Sequence, residues 1–174
     1  MSKLVCALVA AALLQAVADP PIVDNDRVNV REIPTISGPP GSISRQTANS
    51  LWVSVVPSRS IAITLKDKIV APLTNTSGFP NAFPRPNGTK VYEDNRIIVW
   101  DYTWTRGVPT PMHFHDKDVV VIYLGSGSLR STTPDGKSVT NTWVPGDTRF
   151  NLRDRVHTET LVDGQLRAII TELK

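Results

Sequence analysis

The sequence predicts an all-β fold, an antiparallel sandwich or small barrel, and three observations carry that expectation. From Val91 onward seven strand-like runs follow one another: "RIIVWDYTW", "DVVVIYLG", "SLRSTT", "SVTNTW", "TRFNL", "VHTETLV" and "LRAIITEL". Residues that form turns separate them: Gly107 with Pro109 and Pro111, Gly125-Ser126-Gly127, Pro134-Asp135-Gly136, Pro145-Gly146-Asp147, Arg153-Asp154 and Asp163-Gly164. No window between them has helical periodicity, so the turns join strand to strand.

Taken from the beginning of the chain, residues 1–18, "MSKLVCALVAAALLQAVA", hold a lysine, an apolar stretch from Leu4 to Leu14 and small residues just before Asp19. That pattern is a secretory signal peptide, and it predicts a periplasmic or secreted protein beginning at Asp19. The stretch is short for a membrane span, and no later one is apolar enough, so no membrane partner is expected. Cys6 lies in this leader, which leaves residues 19–174 without cysteine and excludes disulfide or thiolate chemistry there.

Without Lys3 the basic residues number 18 against 16 acidic ones, a net charge of +2. They are scattered singly with no interleaved aromatics, which argues against a nucleic-acid partner.

Residues 19–50 are polar, contain "SGPPGS" and read as an extended N-terminal arm. A barrel domain over residues 51–174 follows. Its first strands are "LWVSVV" at 51–56 and "SIAITL" at 60–65, with a turn at Pro57 and Ser58. A proline-rich crossing with Pro72, Pro80, Pro84 and Pro86 cannot be regular structure, but Phe79 and Phe83 give it something to bury. The arm and the early strands leave β edges to cover, and pairing with a second subunit would cover them, so a homodimer is expected.

The chemistry is concentrated in three histidines. His113 and His115 are separated by one residue, so on a strand they project to the same side. The third, His157, stands at the start of a later strand. Imidazole ligates Zn, Fe, Ni, Cu or Mn, and an ion is usually held by at least three protein donors. Tyr102 and Tyr123 are possible acid-base groups. Tyr123, out of phase with Asp118, is expected to point outward. Trp100 and Trp104 are expected to fill core. Arg149 and Arg167 lie on barrel strands, where either steadies an anionic ligand or, the reading preferred, serves as a surface salt-bridge partner.

"GVPTPMHFHDKDVVVIYLG" resembles the first motif of the cupin superfamily: Gly107, the pair His113 and His115, a carboxylate at Asp118, and Gly125. "VPGDTRFNLRDRVHTETL" resembles the second, with a Pro-Gly-Asp turn leading to His157. The resemblance covers residues 90–174 and implies a double-stranded β-helix, or jelly-roll barrel. It also implies a divalent transition metal (Fe, Mn, Ni or Zn) held by His113, His115, His157 and Asp118.

Two positions depart from the family pattern. Asp118 replaces a glutamate and stands one residue closer to His115, and Arg153-Asp154-Arg155 replaces a Pro-x-Gly turn before His157. Glu159, two residues beyond His157 and on its face, is the reserve carboxylate. The relatives imply a metal-dependent enzyme on a small molecule, whether dioxygenase, isomerase or lyase. A non-catalytic protein that captures a small ligand through the ion is the alternative.

Overall fold

The computed structural model describes residues 19–174, so the expected leader lies outside the described residues. Strands β1 (Val23–Asp24), β2 (Val28–Ile33), β3 (Ile43–Thr47), β4 (Ser50–Val56) and β5 (Arg59–Leu65) form one antiparallel sheet in the order β1-β2-β5-β4-β3. β4 and β5 are the two strands expected at 51–56 and 60–65. The stretch expected as an extended arm supplies three more. Its few apolar side chains become strand-forming through distant partners, Val28 opposite Leu65 and Val30 opposite Ile63, and no local window contains those partners.

The remaining strands are β6 (Gly88–Glu93), β7 (Ile97–Thr103), β8 (His113–His115), β9 (Asp118–Tyr123), β10 (Ser126–Thr132), β11 (Ser138–Trp143), β12 (Thr148–Asn151), β13 (Arg155–Gln165) and β14 (Arg167–Leu173). They form two sheets, ordered β12-β9-β14-β7-β6 and β11-β10-β13-β8. From β7 to β14 the chain passes from one of these sheets to the other at every step except the β10–β11 hairpin. All-antiparallel strands wound in this way make a jelly-roll barrel, the double-stranded β-helix expected. No helix occurs among the described residues.

Two apolar layers result. Inside the barrel, Trp100, Tyr102, Trp104, Val119, Val121, Tyr123, Leu129, Leu161 and Ile170 pack together. On the other side of the β9-β14-β7 sheet, Val99, Val120, Ile122 and Ile169 meet Val30, Val53, Ile61 and Ile63 of the first sheet. The central sheet is therefore covered on both faces, and every residue of β9 is buried. This explains an apolar run from Val119 to Leu124 without alternation, a pattern otherwise typical of doubly buried parallel strands. Each fully buried valine or isoleucine contributes roughly 1.5–3 kcal/mol. The first sheet thus packs one face on its own barrel, while β1 and β3 stand at its two edges.

Asp163-Gly164 does not end a hairpin, as its sequence implied, but sits inside β13. Gly164 has φ +79°, and a Cβ there would lie 2.3 Å from Ser126 O. Gly125 is as tightly confined, its Cβ position being 2.4 Å from Gln165 O. These two glycines allow the β13 end to press against the start of β10, and Leu166 then carries the chain into the other sheet.

Residues 66–87 cross without regular strands, as their prolines require. Phe83 is buried beneath the crossing, whereas Phe79 is 37% exposed, so one of the two expected anchors holds it. At the end of the crossing, Ala82 N–H donates to Phe114 O (2.8 Å) and Phe114 N–H to Pro80 O (2.8 Å). The crossing thus seals the free edge of β8 and delivers Arg85 into the barrel.

Candidate metal centre

β8 and β13 run antiparallel with His113 opposite His157 and Arg155 opposite His115. Directly opposed residues share a face, so ladder register brings His157 to the face that His113 and His115 share by period 2. All three are buried. One ring nitrogen from each lies within 4.8 Å of the others, and the ring centroids are 4.8–5.0 Å apart. The turn that leads into His157 contains no glycine. Asp154 takes its left-handed position at φ 63°, and aspartate is among the residues that tolerate the left-handed region. Its N–H donates to His115 O at 2.9 Å, which ties the turn to β8.

Hydrogen bonds orient the rings. His113 Nδ1 lies 2.8 Å from Pro111 O, and a carbonyl only accepts, so Nδ1 carries the proton and Nε2 keeps its lone pair. His157 Nδ1 is held by Ser131 Oγ at 3.1 Å. His115 Nε2 and His157 Nε2 face each other at 3.1 Å, and His115 Nδ1 is buried without a hydrogen-bond partner. Burial, with the guanidinium of Arg85 adding to it, pushes His113 down to about 4. Burial also lowers His115 well below its ordinary value, with Arg155 adding to it, and lowers His157 despite the opposing charge of Glu159. The imidazoles are therefore neutral near pH 7, the form that ligates a metal. Three buried neutral rings, with Nε2 lone pairs converging and Nδ1 groups held from behind at two of them, fit a transition-metal ion.

Arg85 approaches His113 at 2.9 Å from Nε2 and 3.3 Å from Nδ1. An atom so nearly equidistant from both nitrogens lies off both lone-pair axes, so it leaves Nε2 free. The guanidinium also sits 4.1 Å from the Tyr102 ring centroid and pairs with Glu159 Oε2 at 3.2 Å. Trp104 Nε1–H donates to the same oxygen at 3.2 Å. For Glu159 burial raises the pKa, but its other partners, Arg85 foremost, outweigh it and hold the carboxyl below its usual value.

Asp118 is not brought to the histidines. One of its oxygens pairs with Arg27 at 2.6 Å, and the other accepts Arg153 N–H at 2.8 Å. It shares a face with Val120 and Ile122, toward the first sheet. The expected carboxylate ligand thus points away from the barrel interior, because β9 is in the opposite phase to the one assumed. The same phase corrects Tyr123, which was expected outside but is buried inside, stacked on Trp143 at 4.5 Å. Trp100 and Trp104 fill core as expected, and Arg167 forms a salt bridge with Asp101 at 2.6 Å. Glu159 does face inward, but the cluster that can hold a metal contains only His113, His115 and His157 among the described residues.

Below the histidines lies a cavity of about 30 Å³ lined by Arg85, Trp104, Tyr123, Arg155, His157 and Glu159 among others, room for one or two waters. A cleft of about 250 Å³ lined by Tyr123, Trp143, Arg149, Asn151, Arg155 and His157 opens beside it. Arg85, Ser131 and Trp143 were not legible as site residues. Arg85 lies in an irregular loop, and Ser131 and Trp143 arrive by pairing of distant strands. Arg155, two residues before His157 and therefore in its phase, had a usable signal.

No family model matches the chain, and no curated protein matches it. Among solved structures it is similar to a cupin domain from Bordetella pertussis Tohama I, with 26% identity over 52% of this chain and 97% of that one and a TM-score of 0.46. It is also similar to a cupin-2 domain protein from Shewanella frigidimarina NCIMB 400, with 18% identity, 52% and 83% coverage and a TM-score of 0.40. A third is an RmlC-like cupin family protein with a double-stranded β-helix fold from Methanocaldococcus jannaschii, with 11% identity, 60% and 89% coverage and a TM-score of 0.43.

Proposed function

Because the chain has the motif order and jelly-roll topology of the cupin superfamily, we propose that it is an exported metalloprotein that binds one divalent transition metal through His113, His115 and His157 and acts as a metal-dependent enzyme on a small molecule. The observation that carries the reading is the convergence of three buried imidazole nitrogens within 4.8 Å. His113, His115 and His157 would hold such an ion, which would supply Lewis-acid or redox chemistry to a small molecule. The protein's own groups supply the rest. Pro111 O and Ser131 Oγ fix ring orientation. The Arg85–Glu159 pair sets a charged wall beside the rings. Export rests on residues 1–18, and a homodimer is retained as part of the proposal.

The test is elemental analysis of protein purified without chelator, then reconstituted with Fe, Mn, Ni or Zn. Close to one ion per chain is expected, lost when His113 and His115 both become alanine. Well under about a tenth of an equivalent after reconstitution refutes the metal site. A reading as a non-catalytic ligand-binding protein is favoured if the loaded protein binds small molecules but turns none over.

A further inference from the structure

Arg85 is a buried cation whose charge is only partly matched. Its side chain is 5% exposed, and its Nε is buried without a hydrogen-bond partner. The guanidinium lies against the rings of Phe83 and Tyr102, with its carbon 4.7 and 4.1 Å from their centroids, and aromatic faces attract a cation without neutralising it. Arginine is not deprotonated in proteins, so the charge stays. Among the described residues its one carboxylate partner is Glu159, at 3.2 Å, against 2.6 Å in the buried Arg27–Asp118 pair. The Glu159 oxygen that Arg85 meets also accepts from Trp104 Nε1–H, so it is shared.

The three histidines sharpen the effect of that charge. They are the whole of the cluster that can hold a metal among the described residues, and both Asp118 oxygens are spent on Arg27 and Arg153. An ion on three neutral imidazoles keeps its full positive charge, because no ligand brings a negative one. Arg85 Nη1 lies 2.9 Å from Nε2 of His113, the nitrogen whose lone pair is free, so an ion held there has a fixed guanidinium beside its ligand. Repulsion between like charges is stronger in a buried pocket than in water. It rises with each unit of charge on the ion, so the higher oxidation state suffers most.

We propose that Arg85 biases the oxidation state of a redox-active ion in this site, favouring the divalent form over the trivalent one, and that Glu159 opposes it. The inference rests on the three-histidine reading and adds the charge state of the ion to it. It concerns one electron passing between the ion and an outside acceptor, with no bond made or broken. Removing the positive charge favours loss of that electron, and removing the negative charge disfavours it, so the two substitutions act in opposite directions. A role in packing alone requires no such pair of signs.

The experiment is spectroelectrochemical titration of the iron-loaded full chain, with the electrode as acceptor and the ferric fraction read by electron paramagnetic resonance. At the parent's midpoint potential, Arg85→Gln should raise the ferric-to-ferrous ratio at least about tenfold, a fall of about 59 mV in midpoint. Glu159→Gln should lower that ratio by about tenfold or more. Arg85→Lys keeps the charge and should stay within about threefold of the parent. An unchanged midpoint in Arg85→Gln, or a shift of the same sign in both glutamine variants, overturns the proposal. The Arg85 side chain is buried, so where Arg85→Gln does not fold, Glu159→Gln decides: a midpoint equal to or below the parent's overturns the proposal. Iron content is measured on each sample. A parent without iron removes the three-histidine reading and this inference with it, whereas a loaded parent whose midpoint ignores both substitutions removes the inference alone.

Discussion

Arg27 Nη1 lies 2.6 Å from Asp118 Oδ2, with both side chains buried to within 5% and 6% of full exclusion from solvent. The pair joins the first sheet to the strand that begins just after the histidine pair. Arg27 also donates to Lys174 O at 3.1 Å, and the second Asp118 oxygen accepts from Arg153. Asp118 therefore ties together the first sheet, the C-terminus and the turn before His157, instead of serving as the metal ligand that the sequence resemblance implied.

Removing either partner leaves a buried charge uncompensated. Asp118→Ala and Arg27→Ala should each lower stability by about 3–5 kcal/mol. Denaturant unfolding measures this, and metal stoichiometry of the folded fraction should stay near that of the parent. A selective loss of metal without loss of stability in Asp118→Ala would place the carboxylate at the ion after all.

Glu159→Gln separates ligand from neighbour. The glutamine keeps the shape but strips Arg85 of its charge partner, so metal content should persist while stability falls by about 1–3 kcal/mol. Competition titration with one metal and unfolding curves, run side by side, read both quantities.

Ser131→Ala removes the partner of His157 Nδ1. Losing such an outer hydrogen bond typically costs 10–100-fold in metal affinity. The stability of the chelated protein should change far less, and a competition titration against a chelator of known affinity checks it.

The chelated protein should weaken as pH falls. His113 titrates at about 4 when folded, against an ordinary value of 6.5. A depressed folded value means that the unfolded chain binds more protons between those limits. The contribution is complete above pH 6.5 and is lost as pH drops toward 4, at most about 3 kcal/mol from this residue. Glu172 works in the opposite direction. Burial raises its carboxyl pKa, partly offset by Lys117 and Trp100, so its contribution is complete below 4.5 and declines as pH rises above it. Urea unfolding at intervals from pH 4 to 7 measures the sum, and His113→Gln should flatten the upper part of the curve.

N-terminal sequencing of exported protein is expected to begin at Asp19, which tests the leader. Light scattering at micromolar concentration tests the expected homodimer.

Local sequence was sufficient wherever one stretch contained the whole cause. The strands at 51–56 and 60–65, the irregular proline crossing and the shared face of His113 and His115 follow from β-branching, ring constraint and period 2, and the structure has them all. Tertiary structure decided what depends on partners far along the chain. From Val119 to Tyr123 every residue of β9 is apolar enough to bury on either side, so alternation gives no phase; only the covering of one face by the first sheet sends Asp118 to Arg27 and Tyr123 into the barrel. Arg85 enters the site because residues 80–82 pair with Phe114 at the free edge of β8. His157 reaches His113 through ladder register, and that register is set by hydrogen bonds and packing between strands that the linear sequence keeps more than forty residues apart.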